Sequence, residues 1–167
     1  LYNQRLECNT FKITTMRLLL AHTEARSVMD FSAGWGDRLL GCLLGGVQYF
    51  GYDPNTALVP VHAAMIARIG GDARVVCAPF EDVTNLPKGV DLVMTSPPPY
   101  TKEIYTNEAT QSVMRYPKYT VWLHKFLLTS MVKAFGCLRR GGVMVIDLND
   151  IVGKQIVEHM VVGMRQR

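Results

Sequence analysis

The chain has 167 residues, 49% of them apolar and 19% charged, with a net charge of +4. This is one domain's worth of chain, long enough to bury a core and too apolar for a disordered tail. The mild positive charge, without a long Lys/Arg run, permits an anionic partner such as nucleic acid but does not demand one; no apolar run reaches the roughly 18 residues of a membrane span, and no signal peptide is visible.

Residues 1–9 are polar and uninformative. From 10 to about 24, Phe11, Ile13, Met16, Leu18, Leu19 and Leu20 stand among good helix formers and predict a helix. Residues 27–31 read as strand 1, followed by the small residues Ser32, Ala33, Gly34 and Gly36. A helix over 38–44 is ended by Gly45-Gly46. Strand 2 spans 47–52 and closes on Asp53-Pro54-Asn55, and a helix over 56–69 stops at Gly70-Gly71. Strand 3 is 74–77, with Pro79-Phe80-Glu81-Asp82 at its exit. Strand 4, 89–95, is too uniformly apolar for a one-faced sheet. A polar and aromatic segment runs from 96 to 119, a helix from 121 to 138, and Arg139-Arg140-Gly141-Gly142 turns into strand 5 over 143–148. Strand and helix in strict alternation predict an α/β fold with a doubly wound, mainly parallel sheet. With no internal repeat or linker, 1–167 reads as a single domain. It begins at Leu1 and stops in Arg-Gln-Arg, which reads as a fragment, or as a chain with segments left out.

Cys8, Cys42, Cys77 and Cys137 are far apart and form no Cys-x-x-Cys pair. A zinc site is therefore not expected. Buried free thiols in a reducing, intracellular compartment are.

In such sheets ligands sit outside the carboxyl ends of the strands, where the strand order reverses. The unusual polar residues fall at those ends: Asp30, Asp53, Glu81-Asp82 and Ser96. A strand breaking into small residues and re-forming as a helix turns free N–H groups toward a crevice and lets the backbone approach a ligand closely. Leu39 stands where a third glycine of Gly-x-Gly-x-x-Gly would be, so the loop suits an adenosyl group better than a dinucleotide. Asp53 suits a carboxylate accepting from both ribose hydroxyls, or an ordinary turn aspartate before proline. Phe80 and Asp82 suit an adenine ring and its amine, or a core phenylalanine and a solvated acid pair.

Thr95-Ser96-Pro97-Pro98-Pro99-Tyr100 is the more specific stretch. Two prolines directly after a buried strand stiffen the backbone. Carbonyls in that turn, with the Ser96 oxygen, suit acceptance of hydrogen bonds from a planar amine. Such acceptors help a poor nitrogen nucleophile to pyramidalise, so catalysis is mainly positioning.

These motifs resemble the S-adenosylmethionine-dependent amino-methyltransferase family, which methylates exocyclic amines of nucleic-acid bases. Asp30-Phe31-Ser32-Ala33-Gly34-Trp35-Gly36 is similar to its cofactor loop, Gly51-Tyr52-Asp53-Pro54-Asn55 to its ribose loop, and Thr95-Ser96-Pro97-Pro98 to the catalytic tetrapeptide of the N4-cytosine branch. The resemblance covers roughly 27–148. It implies a Rossmann-like class I methyltransferase fold and S-adenosylmethionine as cofactor. Asp30, Ser32, Ala33, Gly34 and Gly36 would hold its methionine end, Asp53 the ribose, and Phe80 with Asp82 the adenine. Ser96, Pro97 and Pro98 would hold the target amine. Pro99 departs from the pattern, standing where the family places an aromatic residue that stacks on the base, and Tyr100 is expected to substitute for it. The tyrosine-rich segment 100–120 reads either as a lid, with Arg115, Lys118 and Lys125 meeting phosphates, or as a surface loop. DNA or RNA is the expected partner, with a flipped base if the substrate is duplex, and a protein partner is a further candidate for target recognition. A glutamine side-chain amide ranks lower as substrate, because Asn in place of Ser96 would favour it. Pro99 also motivates a binding or assembly module without turnover.

Overall fold

The computed structural model describes residues 11–166; Cys8 and Thr10 lie outside them. The chain folds as α1 (Ile13–Thr23), β1 (Ser27–Asp30), α2 (Asp37–Leu43), β2 (Gln48–Tyr52), α3 (Val59–Ile69), β3 (Ala73–Val76) and β4 (Val90–Thr95). Then come α4 (Ser112–Arg115), one continuous helix over 119–135, β5 (Leu138–Ile146) and α7 (Ile156–Arg165). The continuous helix comprises α5 (Tyr119–Trp122), a π-helical stretch (Leu123–Leu128) and α6 (Thr129–Phe135).

The five strands pair in the order β3-β2-β1-β4-β5, all parallel. Alternate residues of each strand feed opposite cores. Val28, Leu92 and Met94 pack with Met16, Leu20, Leu39 and Cys42 of α1 and α2. Met29 and Val93 pack instead with Trp122, Leu127, Met131 and Ile156. Both faces of β1 and β4 are thus covered, which is why they read as unbroken apolar runs. The fold is the doubly wound α/β sheet that the alternation predicts.

Three details differ from expectation. β5 begins at Leu138 rather than 143, because Arg139-Arg140-Gly141-Gly142 stays in the ladder as a bulge. Gly141 takes φ +76°, and a Cβ on Gly142 would stand 3.1 Å from the Asp91 carbonyl oxygen, so the glycines serve close pairing rather than a turn. α7 was not expected; Ile156 and Met160 bury its inner face, and Gly163 lets it meet Leu128, which a Cβ there would approach to 2.6 Å. Cys77 is exposed rather than buried, while Cys42 and Cys137 are buried. Burial pushes the Cys42 thiol up to about 12, so it stays protonated and inert. Among the described residues no helix is long and apolar enough to cross a membrane.

Candidate active site

β1 leads to β2 on one side of the sheet, whereas β4 lies on its other side. The carboxyl ends of β1 and β4 therefore flank the point where the strand order reverses, where open α/β sheets form a crevice. A cavity of about 450 Å³ lies there, within the range of small-molecule sites.

The wall after β1 is built on a buried network. Asp30 is fully buried, and its Oδ2 accepts from Arg38 Nε at 2.6 Å and from the Tyr49 hydroxyl at 2.8 Å. Its Oδ1 accepts from the Ser32 N–H at 3.1 Å, and Arg38 Nη2 donates to the Ser32 carbonyl at 2.5 Å. Burial opposes the Arg38 charge, but Asp30 and Tyr49 beside it raise the guanidinium above its ordinary value. Burial and the Asp30 carboxylate push the Tyr49 phenol well up. Asp30 thus supports the loop from beneath and does not line the cavity. Neither Arg38 nor Tyr49 stood out in the sequence.

Ser32, Ala33 and Gly34 line the cavity, and Gly36 does not. Gly34 and Gly36 have φ of +56° and +92°, conformations that L side chains resist, and a Cβ on Gly36 would also meet Met65 Sδ at 2.7 Å. The loop is tied outward as well: the Ala33 N–H donates to the Tyr52 carbonyl, and the Gly34 carbonyl bonds His62 Nε2 at 2.8 Å.

Asp53 closes β2 and lines the cavity. One carboxylate oxygen accepts from the Gly34 N–H at 2.8 Å and the other from the Asn55 N–H at 3.0 Å. Burial raises the Asp53 carboxyl, while those two N–H groups pull it back down. Each oxygen keeps a second lone pair for a ligand hydroxyl.

At the β3 exit Phe80 lines the cavity yet is 1% exposed, stacked on Phe31 at 5.5 Å and edge-on to Tyr52 at 4.9 Å. Phe80 is therefore a core ring that also forms part of the cavity wall. Lys133 Nζ pins this turn by donating to the carbonyls of Phe80, Glu81 and Val83 at 3.1, 2.8 and 2.5 Å. Asp82 does not fit the expectation of an adenine contact. It is exposed, lies outside the cavity lining and pairs with Arg115 at 2.8 Å, while Glu81 takes the other Arg115 nitrogen at 2.9 Å. Arg115 is thereby committed to carboxylates rather than facing phosphates.

Ser96, Pro97, Pro98 and Pro99 line the opposite wall, facing the glycine loop. The Pro98 and Pro99 carbonyls accept from Tyr100 and Lys102 N–H groups within the turn. Ser96 and Pro97 line the cavity, and neither the Ser96 hydroxyl nor their carbonyls take part in those turn bonds. Tyr100 does not replace the missing aromatic face. It takes φ +51°, donates its hydroxyl to the Pro117 carbonyl, packs on Tyr119 and Trp122, and is absent from the lining. The aromatic rings at the mouth are Trp35 and Tyr105, about half exposed; Tyr105 bonds Glu103. Segment 100–120 does cover the site in part: Thr110, Gln111 and Ser112 line it, with Glu108 and Thr110 bonded to Thr56 and Pro54. The π-helical stretch brings Phe126 to the same cavity, an irregularity with no sequence signal of its own.

No family model matches the chain, and no curated protein matches it in sequence. Solved structures match it in fold. An S-adenosylmethionine-dependent methyltransferase from Clostridium acetobutylicum is 13% identical with a TM-score of 0.55, over 83% of this chain and 49% of that one. An rRNA methylase from Streptococcus thermophilus is 13% identical with a TM-score of 0.61, over 91% and 80%. A TehB-like SAM-dependent methyltransferase from Corynebacterium glutamicum is 16% identical with a TM-score of 0.65, over 95% and 73%. The chain spans about half the length of the Clostridium protein. Likeness at such identity speaks for architecture, and a shared fold does not by itself fix a reaction. The chain has the class I, Rossmann-like fold of S-adenosylmethionine-dependent methyltransferases.

Proposed function

We propose that the chain is an S-adenosylmethionine-dependent methyltransferase acting on an exocyclic amine of a nucleic-acid base, cytosine N4 before adenine N6. The observation that carries this is the meeting of two loops on one cavity: the Ser32–Gly34 loop with Asp53 on one wall, and the Ser96–Pro99 turn on the other. The donor set fits the cofactor. A positive-φ glycine loop admits close backbone approach, Asp53 offers lone pairs to a ribose, and Phe80 offers an apolar wall. When bound, the cofactor supplies an electrophilic methyl group on a sulfonium. Asp30 acts through the loop, as a positioning residue.

On the opposite wall, Ser96 and the Pro97 carbonyl accept the amine's hydrogens and aim its nitrogen at the methyl carbon. With the cofactor held by the Ser32–Gly34 loop and Asp53, those acceptors would position the amine for methylation, and its surplus proton would leave to solvent. Stiff prolines keep those acceptors in place without reorganisation. Cytosine is favoured by Ser96 at the head of the tetrapeptide, and a nucleic-acid substrate by the presence of an rRNA methylase among the structural neighbours. Target choice falls to segment 100–120 or to a protein partner. The buried thiols Cys42 and Cys137 suit a reducing compartment.

Pro99 in the wall and Tyr100 outside it favour one rival, a methyltransferase-like assembly module without turnover. Calorimetric titration with S-adenosylmethionine, beside Asp53→Ala, separates the two. Binding that Asp53→Ala weakens, followed by methyl transfer to cytosine- or adenine-containing DNA or RNA, is expected. A folded chain that binds no cofactor overturns the enzyme reading and leaves the module.

A further inference from the structure

All but one of the backbone N–H groups from Ser32 to Gly36 are bound within the fold. Ser32 donates to Asp30 Oδ1 at 3.1 Å, Ala33 to the Tyr52 carbonyl at 2.9 Å, Gly34 to Asp53 Oδ2 at 2.8 Å and Gly36 to the Ala33 carbonyl at 3.3 Å. The Trp35 N–H has no hydrogen-bond partner among the described residues, and Trp35 is 52% exposed and lines the cavity.

One side chain sets the direction of that donor. Gly34 and Gly36 flank Trp35, both at positive φ, and glycine lets a peptide turn over at little cost. What holds the Gly34–Trp35 peptide is His62 of α3, whose Nε2 lies 2.8 Å from the Gly34 carbonyl oxygen. A carbonyl only accepts, so Nε2 carries the proton. His62 is 4% exposed and takes no part in the lining of the main cavity; it faces a smaller hollow between α3 and β3. In a trans peptide the C=O and the following N–H point in opposite directions, and the described residues include no cis peptide. With its carbonyl drawn toward α3, this peptide turns the Trp35 N–H away from α3, to the side on which Trp35 lines the cavity.

The order of the rim says what that N–H meets. Strands β3, β2 and β1 are neighbours, so Phe80, Asp53 and the glycine loop follow one another along the cavity. A nucleoside with its base on Phe80 and its sugar hydroxyls on Asp53 extends its 5′ substituent to the loop. In S-adenosylmethionine that substituent is the amino-acid arm, whose carboxylate accepts strongly from an N–H.

We propose that His62 is a positioning residue for the cofactor: by holding the Gly34 carbonyl it aims the Trp35 N–H at the carboxylate of the amino-acid arm. The assignment rests on the cofactor reading under the proposed function. A donor fixed before the ligand arrives limits the ordering cost of binding.

The test is calorimetric titration of the whole chain with S-adenosylhomocysteine and with its decarboxylated analogue, which keeps the nucleoside, the sulfur and the amine. His62→Leu and His62→Gln are titrated alongside, with thermal melts to confirm that they fold; His62→Asn, whose shorter amide falls short of the carbonyl, replaces the leucine variant if that one does not. The wild type is expected to bind S-adenosylhomocysteine roughly tenfold more tightly than the analogue. His62→Leu should bind S-adenosylhomocysteine weaker by a similar factor, with its affinity for the analogue little changed. His62→Gln, whose amide N–H reaches the same carbonyl, should restore most of the difference. Equal wild-type affinity for the two ligands overturns the proposal. So does a His62→Leu chain that loses both ligands by the same factor, since the histidine would then be merely structural, and so does a glutamine variant that binds no better than the leucine one. A wild type that binds S-adenosylhomocysteine not at all overturns the proposed function, and this assignment with it.

Discussion

Asp30 with Arg38 and Asp91 with Arg139 are the same chemistry at opposite ends of the central strands. Asp91 stands at the amino end. Its carboxylate accepts from the N–H groups of Arg26 and Ser27 as β1 begins, and from Arg139 Nε of β5 at 2.5 Å. That pair keeps much of its water, with side chains 18% and 48% exposed. Asp30 stands at the carboxyl end, and its pair is 0% and 6% exposed. Taking two charges out of water costs several kcal/mol each, and their attraction repays it only when every lone pair is used. The costly arrangement lies under the loop that walls the cavity, and the cheap one lies where strands merely need aligning. Buried charge here serves the geometry of a site more than the stability of the fold.

The largest effect that sharpens this contrast is at Arg38. Arg38→Leu leaves Asp30 charged and unpaired in the core, and is expected to destabilise the chain by about 3–5 kcal/mol in chemical denaturation. Adding Asp30→Asn should restore part of that loss, because the orphaned charge goes too. Arg139→Leu should cost about 0.2–1 kcal/mol, as exposed pairs do. Equal losses at the two arginines would break the comparison.

The next effect concerns the two walls of the cavity. Asp53→Ala is expected to weaken cofactor affinity, whereas Ser96→Ala should lower turnover by roughly tenfold, the scale of one hydrogen bond, with cofactor affinity unchanged. Single-turnover assays beside calorimetry read the two quantities separately. A Ser96→Ala enzyme with full turnover removes the hydroxyl from the catalytic wall.

Much of this architecture was legible because local rules and the fold agree. Apolar runs closed by Asp30, Asp53 and Thr95 marked strands buried on both faces, and the positive-φ glycines marked a loop that no other residue fits easily. Ser96–Pro99 was visible because prolines after a buried strand have few other uses. What stayed hidden depends on distance in space. Arg38 reads as a surface residue of a short helix until Tyr49, 19 positions from Asp30, is seen to share its carboxylate. Tyr100 directly follows the proline turn, yet it takes φ +51° and its ring packs on Tyr119 and Trp122. Asp82 stands outside the cavity because Arg115, 34 positions from Glu81, draws the acids outward.

The smallest effect is a pH signature at the amino end. The Arg139 guanidinium, bonded to the Asp91 carboxylate, holds it at about 2 against an ordinary 3.8; burial opposes this, and the Arg26 and Ser27 donors add to it. A carboxyl whose folded pKa lies below its unfolded one contributes stability that is present above the unfolded value and lost as pH falls through the folded one. The contribution of Asp91 is therefore present above about pH 4 and is lost as pH falls through about 2. Arg139→Leu removes the largest cause of the shift. Denaturant midpoints of wild type and Arg139→Leu should differ by a constant small amount above pH 4 and converge as pH falls toward 2. A gap that persists at the acid end would assign the loss to packing of the Arg139 stem, and the amino-end pair would then hold the strands together by contact rather than by charge.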